Sequence, residues 1–388
     1  MQQREPPAEP GSARPKQGAV RDVRAVALID GEHYPPVVRD ALESLPYEWE
    51  GAILVGGTEK LRDGDGEYCV PLVDGFGSAE LVVDLSDEPV LGPVERFDWA
   101  SRALAAGLPY VGADFRFDPP ALEPFGLPAI SVIGTGKRVG KTAVTVHLAR
   151  LFARGRNVVV VAMGRGGPPE PELVETAPTV EELVARSQAG RHAASDHLEI
   201  AALAGVPTIG CRRAGGGLAG GVAVSNVAEG ARLAAELRPD LVLFDGSGAS
   251  IPPVATARRV LVTGAAERDP YLDTYRRLVS DLVVERPGLR LRPTAPLDGR
   301  VAVFTAGATD VSHLDADVVH VSPNLSNRER LREDLVDADT YLVEVKAAGI
   351  DVVATHALAR GIRVVLAGND VVGVDDDALH ALAPVGVR

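Results

Sequence analysis

The stretch that decides the fold is Gly134-Thr135-Gly136-Lys137-Arg138-Val139-Gly140-Lys141-Thr142. It follows an apolar run at 129–133 (AISVI) and opens a helical pattern over 141–153. A glycine-rich turn between a buried-type strand and a helix is the context a phosphate loop needs. Backbone N–H groups of such a loop point at a β-phosphate, helped by the helix N-terminus. Lys141 would bridge β- and γ-phosphates, and the Thr142 hydroxyl would bind Mg2+. The nucleotide-binding set is therefore Gly134, Thr135, Gly136, Val139, Gly140, Lys141 and Thr142, and it implies ATP and Mg2+. The glycine that usually stands five positions before the Gly-Lys pair is Thr135 here, with Gly134 one place earlier. An ordinary strand–turn–helix is the bland alternative. The coincidence of GKT, strand and helix argues against it.

Outward from the loop, short apolar runs alternate with helical patterns, which indicates parallel α/β sheets. Upstream, strand-like runs at 23–29, 52–55 and 81–85 alternate with helices over 35–45 and 94–106. A Pro-rich segment at 117–128 reads as a linker. Downstream of the loop, strands are expected at 158–162, 208–211, 241–244 and 260–263. The last stretch has strand-like runs at 301–305, 318–321 and 364–367, with helical patterns at 327–335 and 339–348 between them. Residues 1–22, rich in Pro, Gln, Gly and charge, read as a disordered tail. The expected organisation is that tail, an N-terminal α/β domain over 23–127, a doubly wound parallel-sheet P-loop NTPase domain over 128–295, and a C-terminal α/β region over 296–388.

Composition narrows the partners. The chain has 388 residues, 46% of them hydrophobic, enough to fill more than one core. No apolar run approaches the ~18 residues of a membrane span, and the first residues lack the apolar segment of a secretory signal. The cysteines are Cys69 and Cys211, in unrelated contexts, which excludes a disulfide scaffold and fits a reducing cytoplasm. A net charge of −14 argues against a nucleic-acid surface. A small polyanionic substrate requires a locally basic pocket instead. The lysines are Lys16, Lys60, Lys137, Lys141 and Lys346, so two of them four apart in one loop carry more weight than any arginine in this arginine-rich chain.

Further candidates sit at expected strand ends. Asp245 closes the run at 241–244 and would hold a metal-bound water, or else cap a turn. Arg165 lies in a glycine loop after the strand that neighbours the phosphate loop, where it would aim a guanidinium at an anionic oxygen. Arg212 and Arg213 precede a run of glycines and read as an anion nest with charge beside it, or as a flexible loop. Asp196, His197 and Glu199 would serve as metal or base groups, or belong to a helix start capped by Ser195 or Asp196. The segment Asp30-Gly31-Glu32-His33 would bind substrate or nucleotide, or form an Asp-Gly turn with a satisfied histidine.

Four stretches, ALIDGEHYPPV at 27–37, VIGTGKRVGKTAV at 132–144, ASDHLEIA at 194–201 and TIGCRRAGGGLAG at 208–220, make the chain resemble the cyclic 2,3-diphosphoglycerate synthetase family. The loop spacing is similar to that of dethiobiotin synthetase and the SIMIBI-type P-loop class. The resemblance implies an ATP- and Mg2+-dependent ligase that closes 2,3-bisphosphoglycerate through an intramolecular phosphoanhydride, releasing ADP and phosphate. It also implies a cytoplasmic homodimer with no nucleic-acid or membrane partner. On that reading Lys141, Lys137, Arg138 and Asp245 are catalytic, and Thr142 and Asp245 hold the metal. Arg165, Arg212, Arg213, His197, Glu32 and His33 bind substrate. The alternatives are a kinase or ligase acting on 2-phosphoglycerate or another small phosphorylated acid, and a partner-regulated ATPase switch. Such switches carry a lysine two residues into the loop, where this chain has Gly136.

Overall fold

The computed structural model describes residues 23–58, 68–264 and 272–384; the tail expected over 1–22 lies outside them. The chain forms two compact units, one up to Asp118 and one from Pro119 onward. The first contains β1 (Arg24–Ile29), α1 (Pro35–Ser44), β2 (Glu48–Leu54), β3 (Leu81–Asp84), α2 (Pro93–Ala105), β4 (Tyr110–Val111) and β5 (Arg116–Phe117). Its sheet has the order β2-β1-β3-β4-β5, parallel up to β4 with β5 antiparallel. Ala25–Ile29 of the central strand are buried without interruption, the pattern of a strand covered on both faces.

The second unit begins with β6 (Ala129–Gly134), α3 (Lys141–Ala153), β7 (Val158–Gly164), β8 (Glu172–Val174), α4 (Val180–Gln188), α5 (Asp196–Ala204), β9 (Thr208–Gly216), β10 (Val222–Ser225), α6 (Val227–Glu236), β11 (Leu241–Asp245), β12 (Arg258–Thr263), α7 (Asp273–Leu278) and β13 (Leu282–Glu285). Its sheet order is β10-β9-β7-β11-β6-β12-β13, with β8 on β9. The body is parallel; β8 and β10 pair antiparallel to β9. Every residue of β7, β6 and β11 is buried, so the Val-rich runs sit in a sheet with both faces covered.

The rest of this unit adds β14 (Gly288–Pro293), β15 (Arg300–Phe304), β16 (Asp317–Ser322), α8 (Arg328–Glu333), β17 (Thr340–Glu344), a π-helical turn (Gly349–Ala354), α9 (Thr355–Ala359), β18 (Arg363–Val372) and α10 (Asp376–Ala381). They build a sheet of order β14-β18-β17-β15-β16, in which only β14 is antiparallel.

Four expectations change. The helix expected at 339–348 is instead strand β17, because Thr340, Tyr341, Leu342 and Val343 are all buried between β15 and β18. A run buried on both faces has no period to distinguish it from a buried helix. The strand expected to stop at 211 runs to Gly216, because Arg213, Ala214 and Gly216 pair with β10. The segment at 117–128 divides at Asp118, and its later part is fastened to the second unit. There the Glu123 N–H donates to Pro253 O at 3.0 Å and the Ala255 N–H to Glu123 O at 2.8 Å. The boundary expected at 295/296 falls earlier, since β14 already belongs to the last sheet.

Phe244 sits at the centre of the P-loop sheet, fully buried, its ring edge-on to Phe125 at 5.3 Å. Phe244→Ala is predicted to destabilise by about 3–5 kcal/mol, the usual cost of an aromatic-sized cavity. Urea unfolding followed by fluorescence would show the midpoint move down accordingly.

Candidate active site

A cavity of about 540 Å3 lies at the carboxyl ends of the P-loop strands, where open parallel sheets bind ligands. The loop from Gly136 to Thr142 forms one wall, with Arg165 after β7 and Ser247 and Gly248 after β11. Asp196 and Glu199 of α5 face it from the side, and Ala306, Glu344, Lys346 and Asn369 of the last sheet close it.

The loop is shaped for backbone contact. Gly140, the residue before α3, has φ of 92°. A side-chain carbon there would also lie 2.8 Å from Pro287 Cγ, so both conformation and space require glycine. A carbon added at Gly136 would meet nothing within 4 Å, which leaves that stretch of backbone open to a ligand. Arg138 stands at φ of 60°, a left-handed conformation that is strained for a long side chain.

Lys141 and Asp245 form one buried ion pair. Lys141 Nζ lies 3.1 and 3.2 Å from the two carboxylate oxygens, and the Thr145 hydroxyl donates to the first of them at 2.7 Å. Burial pushes the Asp245 carboxyl above its ordinary range, against the pull of Lys141. The two roles expected separately, phosphate for Lys141 and Mg2+ for Asp245, thus begin from a shared contact. Thr142 lines the cavity. Among the described residues no cluster of three or more His, Cys, Asp or Glu is arranged to hold a metal. A magnesium ion seated mainly on phosphate oxygens, with the hard oxygens of Thr142 and Asp245 as protein partners, fits this donor set.

Beside the loop, two guanidiniums and the stem of Lys137 approach Gly248. A carbon added at that glycine would lie 3.4 Å from an Arg165 guanidinium nitrogen, 3.7 Å from one of Arg213 and 4.0 Å from Lys137 Cγ. Arg213 donates to the Ser247 carbonyl at 2.8 Å, and its Nε is buried with no hydrogen-bond partner. Burial and the neighbouring Arg165 both lower the Arg213 pKa. Like charges held this close create a local positive field in an otherwise acidic chain. Beneath them, the buried Arg276 donates to the carbonyls of Ala249 and Leu218, fixing the loop after β11.

Other expected residues are placed elsewhere. The tandem arginines lie on a strand, so they point to opposite faces. Arg212 is exposed, its backbone N–H bonded to Asn226 Oδ1 at 2.7 Å. The glycine run after them ends β9 and forms the turn of the β9–β10 hairpin, where the Gly217 N–H donates to Gly221 O at 2.9 Å.

On α5, Asp196 and Glu199 stand three apart on the cavity face, while His197 is turned away and packed on Gly210. His197 Nδ1 is 3.0 Å from Ser195 Oγ, and Nε2 is 3.6 Å from Glu172. Glu32 and His33 belong to the first unit. There Asp30 Oδ1 accepts from the backbone N–H groups of both and lies 2.9 Å from His33 Nδ1, the geometry of an Asp-Gly turn. Cys211 is no nucleophile: burial pushes its thiol up to about 12.

Thr145, Lys346, Glu344, Asn369 and Arg276 went unread in the sequence. Only Thr145 had a local signal, standing four residues after Lys141 on the same helix face.

The chain matches three family models: the cyclic 2,3-diphosphoglycerate synthetase N-terminal domain over residues 24–75 and 75–118, its P-loop domain over 129–286 and its C-terminal domain over 303–370. It is 46% identical to a cyclic 2,3-diphosphoglycerate synthetase from Rubrobacter xylanophilus, covering 94% of this chain and 98% of that one. It is 37% identical to the protein of that name from Methanothermus fervidus, covering 91% and 94%. A crystal structure of LpxK from Aquifex aeolicus in complex with ATP superposes with a TM-score of 0.42 and 14% identity, over 68% of this chain and 91% of that one. The chain belongs to the cyclic 2,3-diphosphoglycerate synthetase family.

His197 supplies a test of the α5 geometry. Burial lowers its pKa from 6.5 to about 4. The unfolded chain therefore binds a proton between those values that the folded chain does not, and stability falls as pH drops through that window. Chemical denaturation from pH 7 to pH 4 is predicted to show that loss in the wild type and a shallower slope in His197→Asn.

Proposed function

From that membership we propose that this chain uses ATP to close 2,3-bisphosphoglycerate into cyclic 2,3-diphosphoglycerate, with release of ADP and phosphate. The observation that carries the proposal is the approach of the Arg165 and Arg213 guanidiniums to Gly248, beside the phosphate loop and the stem of its Lys137. The substrate bears two phosphates and a carboxylate, and ring closure must press the phosphates together against their repulsion. Preorganised cations at that point lower this cost, which is the main lever in phosphoryl transfer.

In this reading the loop backbone and Lys141 hold the nucleotide phosphates, and Lys137 and Arg138 flank the transferring group. Arg165 and Arg213 hold the substrate. The γ-phosphoryl group passes to one substrate phosphate; an oxygen of the other then attacks that same substrate phosphorus and displaces inorganic phosphate. No protein nucleophile is needed. Thr142 and Asp245 would be the protein partners of a bound Mg2+, which would supply charge neutralisation on the phosphate oxygens. Glu32, His33, His197 and Arg212 remain candidates by resemblance alone; Arg213 does not line the cavity either, but its guanidinium bonds the carbonyl of Ser247 and approaches Gly248, which do. A homodimer and a cytoplasmic location belong to the same proposal. No helix among the described residues is long and apolar enough to cross a membrane.

Phosphorus NMR of the protein with ATP, Mg2+ and 2,3-bisphosphoglycerate tests the activity. New coupled phosphoanhydride resonances with ADP and phosphate in equal amounts are expected. Consumption of ATP with the bisphosphoglycerate signals unchanged would refute it and direct attention to 2-phosphoglycerate.

Among variants, Lys141→Ala is predicted to abolish turnover. Arg213→Ala should raise the substrate KM about tenfold or more, the loss of one charge-assisted contact. Arg212→Ala should leave it within about twofold, as an exposed charge does. Equal effects of the two arginines would contradict the opposite-face placement.

A further inference from the structure

The last sheet does more than pack. β15, β17 and β18 are parallel, and Ala306 and Lys346 after the first two and Asn369 in β18, two residues past its pairing with β17, line the same cavity as the phosphate loop. Two sheets thus present their carboxyl edges to one space, and each edge is where a parallel sheet places ligand-binding groups. The P-loop sheet supplies the nucleotide end. The other edge supplies one cation, Lys346, two residues past β17.

Lys346 Nζ lies 3.0 and 3.1 Å from the two carboxylate oxygens of Glu199. Glu199 is on the cavity face of α5, three residues from Asp196. The nearby Glu344 is committed elsewhere: it accepts from the Ala306 N–H at 2.7 Å and from Asn369 Nδ2 at 3.2 Å. That carboxylate ties the ends of β15 and β18 together and leaves Lys346 to Glu199. Burial opposes the charge on Lys346, but Glu199 and Glu344 outweigh it and raise its pKa, so the ammonium is retained. The Lys346 side chain is 39% exposed and lines the cavity. Glu199 is only 13% exposed, so the pair is half-buried: it joins α5 to the end of β17, and it does so on the wall of the cavity that the phosphate loop also lines.

We propose that Lys346 is a substrate-binding cation of this active site, parked on Glu199 and taken over by an anionic group of the substrate. The inference rests on the bisphosphoglycerate reading above. A three-carbon acid with two phosphates needs a counter-charge at the end remote from the nucleotide, and among the cavity-lining residues of the last sheet Lys346 is the one that offers it. Glu199 competes with the substrate for the lysine, so it sets the affinity as well as keeping the ammonium in place.

Steady-state kinetics with 2,3-bisphosphoglycerate and ATP varied separately tests this in the full chain. Lys346→Met is expected to raise the KM for bisphosphoglycerate about tenfold or more, the worth of one charge-assisted hydrogen bond, with the KM for ATP within about twofold. Glu199→Gln, which keeps the lysine and removes its competitor, is expected to lower the bisphosphoglycerate KM by about two- to fivefold, the range of a partly exposed ion pair.

A merely structural pair predicts the opposite pattern, with both variants losing thermal stability and both KM values drifting together. An unchanged bisphosphoglycerate KM in Lys346→Met, or an unchanged or raised one in Glu199→Gln, overturns the inference while leaving the activity standing. Should Lys346→Met not fold, Glu199→Gln decides alone. A wild-type protein that does not turn over bisphosphoglycerate takes down the functional reading, and this inference with it.

Discussion

The contact on which the site depends is the ion pair between Lys141 and Asp245. Neither charge is affordable alone at that depth, because an isolated buried carboxylate or ammonium loses several kcal/mol of hydration. Together, with the Thr145 hydroxyl as a third member, they join the first turn of α3 to the end of β11. That junction fixes where the phosphate loop stands relative to the strand on its flank. It also means that the loop lysine has a partner before any phosphate arrives. On the proposed reading, nucleotide binding would be an exchange of partners for Lys141, and the buried Asp245 would then need a new cation.

The same logic recurs across the cavity. Arg213 leans on a backbone carbonyl, and Lys346 leans on Glu199. Arg165 and the stem of Lys137 stand close to Arg213 at Gly248. A pocket so rich in cations would be unstable if all its charges faced one another without relief. Carboxylates and carbonyls placed at its walls give that relief: Asp245 to Lys141, the Ser247 carbonyl to Arg213 and Glu199 to Lys346. This is how a chain with a net charge of −14 presents a locally positive site.

Much of this was legible in the sequence. The P-loop strand, turn and helix have local signals that agree with one another: an apolar run, glycines at the turn, then GKT and a helical pattern. The strands of the P-loop sheet were legible for the same reason, as valine-rich runs bounded by turns. What was hidden depends on tertiary pairing. Residues 340–344 read as helix because a run buried on both faces loses its period, and the consequence was larger than one element. As a helix, that segment gives Lys346 no particular address; as a strand, it brings Lys346 to the crevice. The tandem arginines misled in another way. A glycine-rich flank suggests a loop in which neighbours act together, whereas pairing with β10 makes them strand residues with separate environments. His197 was drawn toward the site by its neighbours Asp196 and Glu199, and only the helix phase separates it from them.

Gly140 touches more than its own loop. Its backbone abuts Pro287, the residue just before the first strand of the last sheet, with no room for even a methyl group between them. The entrance to that sheet and the turn that cradles phosphate are therefore built against each other. In genetic terms the two positions form one unit. A side chain tolerated at 287 must be judged by what it does to the loop. Because a φ of 92° already demands glycine at 140, the constraint runs one way: the residue at 287 must be one that fits against a fixed glycine.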